Sequence, residues 1–164
     1  MTLTPTQVQW LEAMKITDYS VDDEGFVSVD GTVDIPYKNL TSIPVKFGYV
    51  GGSFYCYHNN LSSLQGTPRE VGGDFDCSGN NLTSLQGSPR EVGGDFACNH
   101  NNLTSLQGGP KEVGGHFYCR YNNLTSLQGA PREVGGGFYC WGNKLTSEEP
   151  DHSFINIDGD FVWE

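Results

Sequence analysis

The sequence predicts a mainly β leucine-rich-repeat solenoid, in which 21-residue repeats stack around a parallel β-sheet. Three observations predict this fold. Five cysteines recur every 21 residues, apolar residues and an asparagine hold set offsets between them, and Gly-Gly and Gly-x-Pro steps separate the units. A period of about 20 to 29 residues with this pattern is typical of leucine-rich repeats, whose small units bury their apolar face only by stacking.

The N-terminal residues 1–24 predict a cap. Thr4 and Gln7 have the spacing of a capping box, with Pro5 at the first helical position. An amphipathic helix of about 10 residues is therefore expected to close the first turn of the solenoid. Its apolar residues are Val8, Trp10, Leu11, Met14 and Ile16. A solvated link is expected to follow, formed by Asp18, Asp22, Asp23 and Glu24.

Each repeat is expected to contain one strand, a corner and a return path. In the third repeat, Phe96 and Cys98 alternate with polar neighbours, as in a half-buried strand. Asn101 and Leu103 follow at leucine-rich-repeat offsets. The glycine pairs and the prolines predict corners, because glycine accepts positive φ and proline fixes the entry to a turn. The segment that holds Glu112 is assigned to the return path.

The remainder of the chain divides into a degenerate first repeat, five full repeats and a C-terminal cap, all within one structural domain. Val33 precedes Phe54 by 21 residues, which identifies the degenerate repeat. Phe161 predicts a final strand that is displaced from the 21-residue frame by a two-residue insertion. The boundaries of the three parts are residues 25–49, 50–147 and 148–164.

The cysteines are predicted to be buried and reduced. They occupy Cys56, Cys77, Cys98, Cys119 and Cys140, an odd number at a strand position that faces inward. A disulfide framework does not fit an odd set of this kind, whereas small buried hydrophobes do. Reduced thiols and the lack of a signal-peptide pattern predict a cytoplasmic location.

The charge of the chain disfavours two classes of partner. The formal net charge is -11 and the isoelectric point is about 4.6. Direct binding to nucleic acid or to an anionic membrane relies on a basic surface, so neither is expected. The Arg-Glu and Lys-Glu pairs of the return path are expected to cancel pair by pair. The remaining acidity fits either plain solubility or attraction to a basic partner.

The outward strand positions carry the candidate binding site, because they vary between repeats while the other positions hardly change. Tyrosine, tryptophan and arginine are enriched in binding hot spots, although exposed aromatic residues also suit a pleated surface without any partner. The candidate partner-binding residues are Tyr55, Tyr57, Asp74, Asp76, Asp95, His116, Tyr118, Arg120, Tyr121, Tyr139 and Trp141.

Catalysis and metal binding are weaker interpretations. Asp74 and Asp95 occupy the same position in adjacent repeats and could share a proton, and with Asp76 they could bind calcium. A bare strand face, however, forms no deep pocket. His58 and His100 lie two repeats apart, about 10 Å, which is too far for one zinc ion. We therefore expect no enzyme, no cofactor and no metal site.

The repeat units resemble a known family. NNLTSLQGSPREVGGDFDCSG and NNLTSLQGAPREVGGGFYCWG are similar to short leucine-rich-repeat-like proteins found mostly in bacteriophage genomes and mobile elements. The resemblance implies a phage-encoded protein that acts in the host cytoplasm by binding a component of the host. It supplies no catalytic residue.

Two functions follow as expectations, and neither fixes the oligomeric state. The first is a non-enzymatic module whose variable strand face binds and inhibits or redirects a host protein, basic partners and host defence proteins included. The second is sequestration of a small nucleotide-like signalling molecule by Tyr118, Tyr139 and Trp141, with Arg120 supplying positive charge. Stacking on aromatic side chains is a sound way to bind a base, but the acidity of the chain opposes a polyanion.

Overall fold

The repeats stack into a β-solenoid of about six turns in a computed structural model that describes residues 2–146 and 148–164. A short helix, α1 (Pro5–Ala13), precedes the stack. Each full repeat forms one turn, which we call a rung, and contributes one strand to each of two sheets. The sequence-predicted mainly β solenoid with a parallel sheet is confirmed.

The first sheet has eight strands, and its parallel part pairs equivalent residues of successive rungs, such as Glu91 with Glu112 and Val92 with Val113. β1 is the exception, because it pairs antiparallel with β2. The strands are β1 (Ser20–Val21), β2 (Phe26–Val29), β4 (Lys46–Val50), β6 (Glu70–Val71), β8 (Glu91–Val92), β10 (Glu112–Val113), β12 (Glu133–Val134) and β14 (Asn156–Ile157).

The second sheet has seven strands, all parallel and in register. Val33 pairs with Phe54, which confirms the degenerate first repeat. Phe138 pairs with Phe161, which confirms the displaced final strand. The strands are β3 (Val33–Asp34), β5 (Phe54–Tyr55), β7 (Phe75–Asp76), β9 (Phe96–Ala97), β11 (Phe117–Tyr118), β13 (Phe138–Tyr139) and β15 (Phe161–Val162).

The structure corrects one local expectation and makes another more specific. The return path contains the first sheet, because the Glu-Val segment of each rung pairs with its equivalents instead of running as irregular chain. The acidic link after α1 is solvated as expected, and its residues between β1 and β2 form a tight turn. There Asp22 Oδ1 accepts hydrogen bonds from the backbone N–H groups of Glu24, at 2.9 Å, and Phe26, at 2.8 Å.

The glycine pairs form the corner between the two sheets. A Cβ built on Gly93 would sit against the carbonyl oxygen of Gly72 one rung earlier, closer than real Cβ atoms come to backbone. Gly114 and Gly135 meet the preceding glycine in the same way. Stacking of the rungs at this corner therefore requires glycine, since any side chain would force adjacent rungs apart.

The core is a set of columns, each made of one residue type repeated from rung to rung. The phenylalanines of the second sheet stack along the solenoid, with ring centroids 5.2 Å apart for Phe96 and Phe117 and 4.9 Å apart for Phe117 and Phe138. The cysteines and two leucines of each full rung are buried beside them. Because the same side chain recurs at each position of a column, adjacent rungs pack without the cavities that side chains of different size would leave.

An asparagine column holds the corner after the second sheet. Asn101 Oδ1 accepts from the N–H of Leu82 at 3.0 Å, and its Nδ2 donates to the carbonyls of Cys77 at 3.1 Å and Cys98 at 3.2 Å. Each asparagine thus binds its own rung and the preceding one. The equivalent residues, Asn59, Asn80, Asn122 and Asn143, repeat this pattern.

The predicted N-terminal cap is confirmed. Thr4 caps α1, with the reciprocal bonds of a capping box to Gln7, and Pro5 opens the helix. Leu11 is fully buried against the first rungs, while Trp10 and Met14 are partly buried there. The helix therefore covers the apolar end of the stack, as an open solenoid requires.

We predict that Asn101→Leu lowers the free energy of unfolding by about 2 kcal/mol or more, because the buried N–H of Leu82 loses its partner. The two cysteine carbonyls each keep a second asparagine, Asn80 or Asn122. Urea denaturation measures the effect. Asn102→Leu is the matched control, since Asn102 is exposed. Equal midpoints for the two variants would contradict the role given to the asparagine column.

The thiols generate a second prediction. All five cysteines are free and buried. Burial raises the pKa of the Cys56, Cys77, Cys98 and Cys119 thiols well above the usual range, so they stay protonated and unreactive. Ellman's reagent should modify few thiols in the native protein and all five in urea. Rapid modification of all five under native conditions would show that the column opens.

Candidate functional site

The outward side chains of the second sheet and of the residues that follow each strand form a continuous surface, which we call the variable face. All eleven sequence-predicted binding residues lie on it or at its edge. Most are half-buried, and Tyr121, at the corner beyond the strand, is more exposed. The face divides into three parts. The early aromatic cluster contains Tyr55 and Tyr57, and the acidic middle contains Asp74, Asp76 and Asp95. The late aromatic cluster contains His116, Tyr118, Arg120, Tyr139 and Trp141.

The first outward position of each rung has a structural role. Its side chain accepts a hydrogen bond from the backbone N–H of the equivalent residue in the next rung, so chemically different side chains do the same work. The acceptor and donor pairs are Thr32 and Ser53 (3.2 Å), Ser53 and Asp74 (2.9 Å), Asp74 and Asp95 (2.9 Å), Asp95 and His116 (2.7 Å), and His116 and Gly137 (2.7 Å).

This series of acceptors changes the interpretation of the acidic middle. Asp74 and Asp95 each use one carboxylate oxygen to hold the next rung, and Asp74 Oδ2 also accepts from the hydroxyl of Tyr55 at 3.1 Å. Asp76 accepts from the N–H of Ser78 at 2.8 Å. Part of each carboxylate is therefore committed to the fold, while its negative charge remains available to a partner.

The rings of the late aromatic cluster pack against one another. The rings of Tyr118 and Tyr139 stack with centroids 5.0 Å apart and planes 15° apart. His116 lies 5.7 Å from each ring. The Arg120 guanidinium lies 5.1 Å from the Tyr118 ring centroid and 5.4 Å from that of Trp141. These distances suit cation–π contacts, which fix a usually mobile arginine among aromatic rings.

Neighbouring groups orient the late cluster further. Arg120 Nε–H donates to Asn99 Oδ1 at 3.2 Å, and the same oxygen accepts from the Arg120 backbone N–H at 2.9 Å. Burial, followed by the nearby Asp95 carboxylate, raises the pKa of Tyr118. Tyr118 is therefore a neutral hydroxyl donor at physiological pH, on a surface that is ordered before any partner arrives.

The early aromatic cluster contains fewer rings and lies beside carboxylate side chains. Tyr55 and Tyr57 meet edge to face with centroids 6.2 Å apart. Burial, followed by the charge of Asp34, raises the pKa of Tyr57, so this tyrosine also stays neutral. The cluster offers aromatic faces flanked by carboxylates, an arrangement that suits basic side chains.

A shallow depression of about 240 Å³ separates the two aromatic clusters. Ala97 pairs in register with Asp76 on one side and Tyr118 on the other, so its small side chain leaves this space. The lining residues are Tyr55, Asp74, Phe75, Asp76, Asp95, Ala97, Asn99, Tyr118 and Arg120. A protruding side chain of a partner could enter here between aromatic walls.

Asp74, Asp95 and His116 each hold a backbone N–H of the next rung. Within residues 2–146 and 148–164, no group of three or more histidine, cysteine or acidic side chains is placed to hold a metal ion. His116 Nδ1 accepts its hydrogen bond from the backbone N–H of Gly137.

The first sheet carries a feature that the sequence analysis missed. Glu70, Glu91, Glu112 and Glu133 lie in register on adjacent strands along a groove of about 450 Å³. Each of these glutamates follows a basic residue, Arg69, Arg90, Lys111 or Arg132, so the charges balance in number as expected. Within 4.0 Å, His152 pairs with Glu149. The guanidinium of Arg69 packs 3.8 Å from the Phe26 ring centroid.

Comparisons with family models, curated proteins and solved structures give no match to this chain. Among the described residues, no helix has both the length and the apolar character needed to cross a bilayer.

Proposed function

We propose that this protein is a non-enzymatic binding module that engages a host protein through the variable face. The observation that carries the proposal is the contrast within each rung. Core, glycine-pair and asparagine positions repeat nearly unchanged, whereas the outward positions of the second sheet differ in charge, size and aromatic content. Solenoids commonly use an extended sheet face of this kind for binding.

The late aromatic cluster supplies the proposed hot spot. Tyr118, Arg120 and Trp141 are residue types that dominate binding energy when they are partly buried and fixed in place. Here ring stacking and the Asn99 contact hold them before binding. A partner therefore pays little ordering entropy at this cluster, which favours affinity.

The stacking geometry favours a protein over a nucleotide-like ligand. Tyr118 and Tyr139 already stack on each other, so no base can enter between them. Arg120 is shared between Tyr118 and Trp141, and carboxylates lie on the neighbouring rungs. A polyanion would meet this negative charge, whereas a basic protein surface would complement it.

The identity of the partner class rests on the repeat sequence. Its resemblance to phage leucine-rich-repeat-like proteins supports a phage origin and a partner in the cytoplasm of the infected host. Blocking or redirecting a host enzyme or defence protein would require only a rigid surface, which the solenoid supplies. Affinity capture from host lysate, with mass spectrometry of bound proteins and small molecules, identifies the partner for the measurements below.

We predict that Tyr118→Ala combined with Trp141→Ala weakens binding to the captured protein by about 2 kcal/mol or more, a typical hot-spot loss. Isothermal titration calorimetry measures the change, and circular dichroism should show an intact fold because both side chains are outward. Tyr49→Ala is the control, since it removes an exposed aromatic side chain from the first sheet. If Tyr49→Ala alone lost binding, the binding site would have to lie on the first sheet.

A separate prediction concerns the acidic middle. Asp74→Asn combined with Asp95→Asn keeps a side-chain oxygen for the backbone bonds to the next rung while it removes two charges. Association with a basic partner should slow several-fold at low salt, and its dependence on ionic strength should flatten. Stopped-flow association at two salt concentrations measures this. An unchanged rate at low salt would contradict electrostatic attraction by this part of the face.

A further inference from the structure

The basic and acidic residues at the entry to the first-sheet strands line different depressions. Glu70 and Glu91 line the groove of about 450 Å³, whereas Arg69 and Arg90, which precede them, line a separate cleft of about 320 Å³. Neighbouring charges of opposite sign are therefore presented on different parts of the surface. We call the second depression the basic cleft. The residues that define it are Phe26, Lys46, Thr67, Arg69, Ser88 and Arg90.

The charge within the basic cleft differs from that of the whole chain, which is -11. Three basic side chains line the cleft, and none of the described residues that line it is acidic. Asp22, Glu70 and Glu91 are close in sequence to lining residues but do not line it themselves. A ligand in the cleft meets the cations at contact distance and the acids only at longer range, where water and salt screen them. The cleft therefore favours an anion.

The basic cleft forms at the point where the column of basic residues ends. The position one repeat before Arg69 is Gly48, whose carbonyl accepts from the Arg69 N–H at 2.9 Å. A Cβ built on Gly48 would lie 3.2 Å from the Cβ of Phe26, so the Phe26 side chain occupies the space over this strand. An aromatic ring thus takes the place of one basic side chain and closes this end of the cleft.

The Phe26 ring orients the cations around it. The guanidinium carbon of Arg69 lies 3.8 Å from the ring centroid, and the Lys46 Nζ atom lies 5.9 Å from it. A guanidinium that stacks through its face keeps the N–H donors at its edge for an anion. Arg90 follows on the next strand, where its N–H donates to the Arg69 carbonyl at 2.8 Å. Two arginines are therefore held side by side, one of them against a ring.

This set of donors favours a phosphate group over a carboxylate. Arginine binds phosphate oxygens through paired N–H donors, and lysine binds them as a point charge. Three cations match the nearly double negative charge of a phosphate monoester better than the single charge of a carboxylate. The cleft volume of about 320 Å³ lies at the lower end of the range for small-ligand pockets, about 300–1,000 Å³. It can therefore hold a phosphate and part of the group that carries it.

We propose that the basic cleft binds the phosphate group of a phosphate monoester, carried by a small molecule or by a phosphorylated side chain. In this arrangement Arg69 and Arg90 donate hydrogen bonds to the phosphate oxygens, and Lys46 supplies the third positive charge. The site belongs to the first sheet. It is separate from the variable face and does not depend on the protein partner proposed there.

Nuclear magnetic resonance on the full chain tests the proposal. Inorganic phosphate is titrated at fixed pH and constant ionic strength while the backbone amide signals of Gly66, Thr67, Gly87 and Ser88 are followed. Saturable shifts are expected at these lining residues, with an affinity at least about threefold above that of acetate. Equal affinity for acetate, or shifts that do not saturate, would show only screening by salt and would overturn the proposal.

Two esters distinguish the sources of the phosphate. Glycerol 2-phosphate represents a small molecule, and Nα-acetyl-phosphoserine amide represents a phosphorylated side chain. Tighter binding of the phosphoserine amide would assign the cleft to a phosphorylated protein. Equal or tighter binding of glycerol 2-phosphate would assign it to a small phosphate ester. Failure of both esters to bind would overturn a monoester site, even if inorganic phosphate bound.

The repeat supplies a matched control for the site. Arg90→Gln removes one cation of the basic cleft, and Arg132→Gln removes the same side chain from the equivalent position two rungs later, outside the described lining. Both arginines are exposed, and equal midpoints of urea denaturation should confirm that both variants fold. Arg90→Gln should weaken binding of inorganic phosphate at least about threefold, whereas Arg132→Gln should leave it unchanged. Equal effects of the two variants would reflect net charge alone and would overturn the proposal.

Discussion

The asparagine column is the interaction on which the rest of the solenoid depends. Each asparagine binds a leucine N–H and a backbone carbonyl of the preceding rung and the cysteine carbonyl of its own rung. A shift of register by one residue would leave these buried groups unpaired at every rung, which multiplies a cost of about 1–3 kcal/mol for each. The column therefore fixes which side chains point outward, and the variable face exists because this alignment does not slip.

Hydrogen bonding between rungs also limits how the variability of the variable face can be interpreted. Thr32, Ser53, Asp74, Asp95 and His116 differ in charge, yet each accepts a backbone hydrogen bond from the next rung. The scaffold asks only for an acceptor at this position. This requirement does not explain why a carboxylate stands where a hydroxyl would serve. It also leaves the residue at the next outward position, such as Ala97 or Tyr118, unspecified. We propose that partner binding accounts for both.

The sequence predicted the parts of the structure that a period can reveal. The rungs, the capping helix and the displaced strand at Phe161 all follow from offsets or a capping motif. The first sheet did not, because a strand of only Glu91 and Val92 has too little alternation to be recognised, and its pairing lies between rungs. The basic cleft also required the structure, since the approach of Phe26 to Arg69 across the sheet cannot be deduced from spacing.

The two sheets carry different kinds of information. The glutamates of the first sheet are the same in successive full rungs, and like charges placed side by side in register destabilise the pairing. Each of these glutamates follows a basic residue, Arg69, Arg90, Lys111 or Arg132, so the column repeats the same near-neutral pair without distinguishing one rung from another. The second sheet changes from rung to rung, so it can discriminate between partners by shape and contact. The acidic middle lies on this same face, so we propose that attraction and recognition of a partner act together there.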